Sequence, residues 1–213
     1  MVINGKYSIF AESRLLSEHS LAAKLVSVST NKSTFSSHST PCHAQQRRDQ
    51  QQTNMQLPLE LRMKTGLFTG SFDPFTIGHQ SIVARVLPLF DKIVIGVGVN
   101  ERKKYMYSAE VRVKVIAELY ADNPKVEVRA FNDLAVDFAH REGAWFFVKG
   151  VRSVKDFEYE REQADINRMM GGIETLLVFA EPQHASVSSS LVRELIHFGK
   201  NAEMFLPKRK DKK

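Results

Sequence analysis

From residue 63 onward, short apolar runs alternate five times with stretches of helical period, and this alternation limits most strictly what the chain can fold into. The runs are Lys64–Phe68, Lys92–Val99, Val126–Ala130, Trp145–Val148 and Glu174–Phe179, and the helical stretches cover 79–90, 108–120, 134–142, 156–170 and 188–198. The runs contain no Pro and are rich in Val, Ile, Leu and Phe, the composition of strands covered on both faces. Five β-α units in sequence predict a parallel sheet with right-handed crossovers and helices on both sides.

That architecture is an α/β, Rossmann-like, doubly wound five-stranded sheet, in which ligands bind beyond the carboxyl ends of the strands. The chemistry is therefore expected in the loops that follow the strands. With 213 residues, the chain can bury one sizeable core. We expect one domain over 63–207, a disordered extension over 1–62 and a basic tail over 208–213. The extension is rich in Ser, Thr, Gln and His, carries the run Gln45-Gln46-Arg47-Arg48-Asp49-Gln50-Gln51-Gln52, and has one candidate amphipathic helix around Ser13 to Val28. So little apolar surface cannot offset the entropy of ordering. Sparse acids and frequent Ser suit a targeting peptide, whereas Glu12 and Glu18 count against one; a dispensable extension with its start at Met63 is the other reading.

A net charge of +6 raises a nucleic-acid partner as a possibility. The charge sits in the tails: 1–62 carry +3, 208–213 carry +4, and the body carries −1. Only Tyr7, Phe10 and Phe35 fall among the charges of 1–62 and no aromatic among those of 208–213, so no nucleic-acid partner is expected. The single cysteine, Cys42, excludes a disulfide framework, and no apolar run approaches the roughly 20 residues needed to span a bilayer. Neither membrane insertion nor secretion is indicated, and a reducing cytoplasm fits.

After the first strand runs Thr69-Gly70-Ser71-Phe72-Asp73-Pro74-Phe75-Thr76-Ile77-Gly78-His79, leading directly into a helix. Gly70 allows a ligand to approach the backbone, Pro74 stiffens the loop, and His79 falls at the helix start. Free N–H groups and a partial positive charge make such a start an anion site, to which an imidazole adds a directed donor. A lone His there is usually a solvated cap; the eleven-residue string as a whole argues otherwise. After the fifth strand, Val187-Ser188-Ser189-Ser190-Leu191-Val192-Arg193-Glu194 sets three hydroxyls at another helix start. They can cap the helix and donate to phosphate oxygens.

Together the Thr76-Ile77-Gly78-His79 and Ser-Ser-Ser-Leu-Val-Arg strings resemble the two signatures of the nucleotidyltransferase superfamily. With Gly70 to His79, Lys103-Lys104, Gly150-Val151-Arg152, Asp156-Phe157-Glu158-Tyr159-Glu160 and Phe205-Leu206-Pro207, the stretch from Met63 to Pro207 is similar to bacterial phosphopantetheine adenylyltransferase. This resemblance implies transfer of the adenylyl group of ATP to 4′-phosphopantetheine, giving dephospho-coenzyme A and pyrophosphate, by a cytoplasmic homohexamer. It implies catalytic roles for His79, Thr76 and Lys103. ATP would be bound by Ser71, Phe72, His79, Gly150, Val151, Arg152, Glu160, His184, Ala185, Ser186, Val187, Ser188, Ser189 and Ser190. The acceptor would meet Ser71, Lys103, Ala135 and Lys149. Lys149 stands where many relatives carry Arg, and Lys lacks the bidentate fork. His184-Ala185-Ser186 departs from a commoner version containing an aromatic residue. The remaining charges of 156–168 read as a solvated helix face.

A phosphate monoester is already an anion at neutral pH, so its attack on the α-phosphorus requires no protein nucleophile, and a site of cations, hydroxyls and backbone donors suffices. Mg²⁺ is expected as a cofactor held chiefly by the phosphates, with no metal-ligating residues of the chain's own. Other acceptors, nicotinamide mononucleotide or a phospho-sugar taking CMP, share the phosphate motifs; the Asp156 to Glu160 block favours phosphopantetheine.

Overall fold

The computed structural model describes residues 63–208. The expected disordered extension 1–62, its candidate helix, and residues 209–213 of the basic tail lie outside the described residues. Five strands form one sheet: β1 (Thr65–Gly70), β2 (Lys92–Gly98), β3 (Val126–Phe131), β4 (Phe146–Val151) and β5 (Glu174–Phe179). Between and after them run α1 (Ile77–Val86), α2 (Ala109–Leu119), α3 (Ala135–Arg141), α4 (Val154–Gly171) and α5 (Ser189–His197).

The strand order is β3-β2-β1-β4-β5 and every pairing is parallel. The chain winds outward from β1 to β3, then returns across β1 to lay down β4 and β5. Its direction of winding reverses between β1 and β4, so the cleft for a ligand opens at the carboxyl ends of these two strands. Gly70 ends one and Val151 the other.

Side chains alternate across the sheet and sort the core into two layers. Phe68, Ile93, Ile95, Val97, Val148 and Val178 point to one face, where Ile82, Val83 and Val86 of α1 and Ile116 of α2 cover them. Leu67, Val94 and Phe147 point to the other, under Val136, Phe138 and Ala139 of α3. Ring stacking of Phe131 on Phe138, with centroids 4.6 Å apart, joins the edge strand to that second layer. Each buried residue of this size contributes roughly 1.5–3 kcal/mol relative to exposure, so the two layers are what hold the cleft's strands in register.

Boundaries differ from expectation in ways that have local causes. The predicted helix 79–90 stops at Val86, because Pro88 has no N–H to extend it and Leu87–Leu89 tightens into a 3-10 turn. At the other end, α1 starts at Ile77 because Thr76 caps it. Strand β3, expected to be covered on both faces, has no fully buried residue, since an edge strand has a neighbour on one side only. Its Glu127 pairs with Lys92 at 2.7 Å and with Arg129. Lys149, Gly150 and Val151, expected in the loop after the fourth strand, belong to β4 itself and carry the sheet's rigidity to the edge of the cleft.

Candidate active site

The loop from Ser71 to Thr76 folds back over β1. Phe72 adopts a left-handed backbone (φ 47°), which turns its ring into the core against Phe68, Phe75 and the His79 imidazole. A Cβ on Gly70 would come within 2.8 Å of that ring, so glycine is required there by the Phe72 side chain as well as by any ligand. Phe72, which the resemblance sets against ATP, is only 3% exposed, and its ring packs edge-on against the His79 imidazole. The left-handed backbone costs on the order of 1 kcal/mol, which the burial of an aromatic ring offsets. The Asp73-Pro74 peptide bond is cis.

Thr76 and His79 form a reciprocal cap. The Thr76 side chain accepts from the His79 N–H at 3.4 Å, and His79 Nδ1 accepts from the Thr76 N–H at 3.0 Å. A backbone N–H can only donate, so Nδ1 must present its lone pair and Nε2 must carry the proton of the neutral ring. Burial, and after it the Arg152 guanidinium, lower the imidazole pKa from 6.5 to about 4. The ring is thus a neutral, oriented Nε2–H donor until an anion arrives.

The two predicted helix starts meet. Ser189 Oγ donates to the carbonyl of Pro74 at 2.8 Å, and Arg193 Nη1 donates to the carbonyl of Asp73 at 2.6 Å. A second Arg193 nitrogen donates to Ser190 Oγ at 3.1 Å. Ser188 caps α5 by accepting from the Leu191 N–H. The serines therefore divide the work differently from the expected triple cradle. The Ser189 proton is held by the Pro74 carbonyl, while Ser188 and Ser190 act as acceptors. As the first residues of α5, Ser189 and Ser190 also have N–H groups that no carbonyl of the helix can satisfy. A Cβ on Gly78 would meet nothing closer than 3.6 Å, with Thr76 and His184 its nearest neighbours, so space is left open between the two loops.

At the end of β4, Lys149 Nζ lies 3.8 Å from Glu160 Oε2 on α4. Arg152 donates to Asp156 at 3.0 Å and to the Val187 carbonyl at 3.4 Å, bridging the β4 end and the α5 loop. Asp156, expected on a solvated helix face, is instead the partner that orients Arg152; Glu158 and Glu162 are exposed as expected. His184 is half-buried, with Nε2 3.7 Å from Glu181, whose carboxylate also accepts from Ser81 at 2.7 Å. Ala185 and Ser186 are exposed and Val187 is buried. Ser71 is exposed at the cleft, and Lys103 is exposed in the loop between β2 and α2. Ala135 opens α3 after β3. Ser71, Lys103, Ala135, Arg152 and the 184–187 loop all follow the carboxyl ends of strands, so the sheet brings their backbones to one edge.

Residue-by-residue reading overlooked four side chains that hold this arrangement: Asp73, Arg112, Asp156 and Arg193. Asp73 and Arg193 lie inside the two motifs and were legible as members of them. Arg112 bears a charge in the middle of an amphipathic stretch, and nothing local marks it as buried.

Comparison with known proteins bears on which family uses such a cleft. A phosphopantetheine adenylyltransferase of Phocaeicola vulgatus is 52% identical over 145 residues, spanning 68% of this chain and 96% of that protein. Its namesake in Bacteroides fragilis is 49% identical over 146 residues, spanning 68% and 97%. The chain belongs to the phosphopantetheine adenylyltransferase family. Residues 67–195 also match the cytidylyltransferase-like family model, which begins in β1 and closes in α5, bracketing both helix starts. A bifunctional NMN adenylyltransferase/ADP ribose pyrophosphatase of Francisella tularensis shares the fold at 15% identity and a TM-score of 0.54, over 70% of this chain and 46% of that one. As a family member the chain is a nucleotidyltransferase, and in its structure Arg152 ties the end of β4 to the serine loop.

Proposed function

We propose that the chain transfers the adenylyl group of ATP to the phosphate of 4′-phosphopantetheine, releasing pyrophosphate and dephospho-coenzyme A. The observation that carries this reading is the pair of hydrogen bonds that fastens the serine helix start to the histidine loop at the β1–β4 switch point. Two anion-binding helix starts held this close suit one polyphosphate, and family membership supplies the acceptor.

An oxygen of the acceptor phosphate attacks the α-phosphorus, a new P–O bond forms, and the bond to the bridging β-oxygen breaks with its electron pair leaving on pyrophosphate. His79 presents Nε2–H to the phosphate on which charge builds, while Thr76 keeps the imidazole turned. Arg152 and the α5 N–H groups neutralise the leaving polyanion, and Ser71, Lys103 and Lys149 hold the acceptor, with Ala135 beside its arm. Positioning and charge stabilisation do the whole work. Among the described residues, no group of three His, Cys, Asp or Glu side chains could hold a metal ion. The protein's donors suit phosphate oxygens, so Mg²⁺ would enter on the nucleotide, and no step is assigned to it.

No described helix is long and apolar enough to cross a membrane. A cytoplasmic homohexamer completes the reading, supported by apolar side chains left on the α4 surface, Met169 at 86% exposure and Val154 at 75% among them. Light scattering should return six times the chain mass; a monomeric mass would remove the hexamer.

Pyrophosphate release from ATP, measured with a panel of acceptors, tests the activity. Turnover should be fastest by orders of magnitude with 4′-phosphopantetheine. Faster turnover with nicotinamide mononucleotide, or a preference for CTP, would overturn the assignment.

A further inference from the structure

Arg112 is 3% exposed and stands in the first turns of α2, where the helix dipole disfavours a cation. Among the described residues no carboxylate lies within ion-pair distance of it. Its charge is met by backbone oxygens: Nη1 donates to the carbonyls of Ser71 at 2.5 Å and Gly98 at 3.1 Å, and Nε to those of Tyr107 at 3.1 Å and Ser108 at 3.4 Å. The guanidinium also lies over the Tyr105 ring, 4.2 Å from its centroid. Asp73, 2% exposed, grips the same segment from the other side, its two carboxylate oxygens accepting from the Met106 N–H at 2.8 Å and the Tyr107 N–H at 3.0 Å. The Tyr105 hydroxyl closes the loop by accepting from the Asn100 N–H at 3.0 Å.

These contacts have one thing in common: they pin the stretch from Asn100 to Ser108 to the phosphate loop, and Lys103 sits within that stretch. Lys103 is exposed, and among the described residues its ammonium makes no hydrogen bond or ion pair, so nothing local to it fixes where its charge is presented. Burying a cation and an anion with no oppositely charged side chain in ion-pair contact is costly, and neither the packing of α2 nor that of the Ser71–Pro74 loop needs such a charge. We infer that Asp73 and Arg112 are positioning residues that fasten the Lys103 loop to the Ser71–Pro74 loop and so set the affinity for the acceptor phosphate separately from that for ATP. Both groups act from behind the loops, through the backbone that carries Ser71 and Lys103. The inference rests on the adenylyl-transfer reading for the identity of the acceptor; the fastening of the loop does not depend on it.

The test uses the full chain with Asp73→Asn, Arg112→Lys and Arg112→Met, read by steady-state kinetics in each substrate and by amide hydrogen exchange. Asp73→Asn and Arg112→Met should raise the KM for 4′-phosphopantetheine about tenfold or more while the KM for ATP stays within about threefold, with Arg112→Lys intermediate. Exchange at Tyr105 to Ser108 should quicken at least tenfold while β4 and β5 keep parental protection. Parental exchange in that segment would overturn the inference, as would KM values for both substrates rising together. Should the parent fail to adenylylate 4′-phosphopantetheine, the functional reading falls, and the exchange data alone decide whether the clamp exists.

Discussion

Lys149 and Glu160, which the family resemblance assigns to different substrates, face each other from β4 and α4 as an ion pair with 3.8 Å between Nζ and Oε2. Each side chain is about one-fifth exposed, at 20% and 18%, and Glu160 Oε2 accepts no hydrogen bond. Without ligand, the carboxylate holds the ammonium in place and partly cancels its field. Under the proposed function, an arriving acceptor phosphate would compete with Glu160 for Lys149.

Removing only the cation leaves a shielded carboxylate without a partner, whereas neutralising both partners does not. Lys149→Ala should cost on the order of 1–2 kcal/mol of stability, and Lys149→Met combined with Glu160→Gln should cost less than the two single changes added together. Urea denaturation of the four chains measures the coupling. Strict additivity would show that the pair does not interact.

His79 makes stability depend on pH. The imidazole pKa is lowered from 6.5 to about 4 in the folded, ligand-free protein, first by burial and then by Arg152. Between these values the unfolded chain binds more protons than the folded one, so stability rises with pH through the window and is lost as pH falls from 6.5 towards 4. The loss from this residue amounts to about 3 kcal/mol at most. His79→Asn, which cannot ionise, should flatten the stability profile over that interval. Equal slopes for parent and variant between pH 4 and 6.5 would contradict a buried, neutral imidazole.

Turnover should depend on the same ring. Its Nε2–H is aimed by a backbone N–H at Nδ1 and by the packing of Phe72 and Phe75 at 5.1 and 5.2 Å. Such a donor is oriented before the reaction begins, and losing one typically costs roughly 10²-fold in rate. His79→Ala should lower kcat by about that factor with a near-parental melting profile. A kcat within a few-fold of the parent would take His79 out of the reaction.

How far the sequence reached is plain from these residues. Alternating apolar runs were enough for five strands, five helices and the doubly wound layout, because period and turn chemistry are local properties. The two helix starts were legible as capped helix starts, since Thr76, His79 and Ser188 carry their own capping chemistry. Interactions across the chain were not legible. The hydrogen bond from Arg193 to the Asp73 carbonyl spans 120 positions and the Ser189 bond to Pro74 spans 115, and no local pattern announces either. The burial of Phe72 was not legible for a related reason: its left-handed backbone sends the ring into the core, and no local pattern announces that conformation. Arg112 and Asp73 break the rule that charges face water, and only their backbone partners show why.

A shorter chain should keep the whole activity. Both core layers, the cleft and every site residue lie within residues 63–208, and the Phocaeicola vulgatus relative is spanned over 96% of its length by 68% of this chain. The first 62 residues contribute +3 to a total of +6, and the body between the tails is nearly neutral. A chain starting at Met63 should therefore fold, turn over within about twofold of the parent, and bind nonspecific polyanions less, because the electrostatic part of such binding scales with the charge removed. Turnover and heparin retention of the two chains check this together. Loss of soluble protein or of turnover on shortening would show that residues 1–62 stabilise the catalytic body, and unchanged retention would show that their charge is not what polyanions meet.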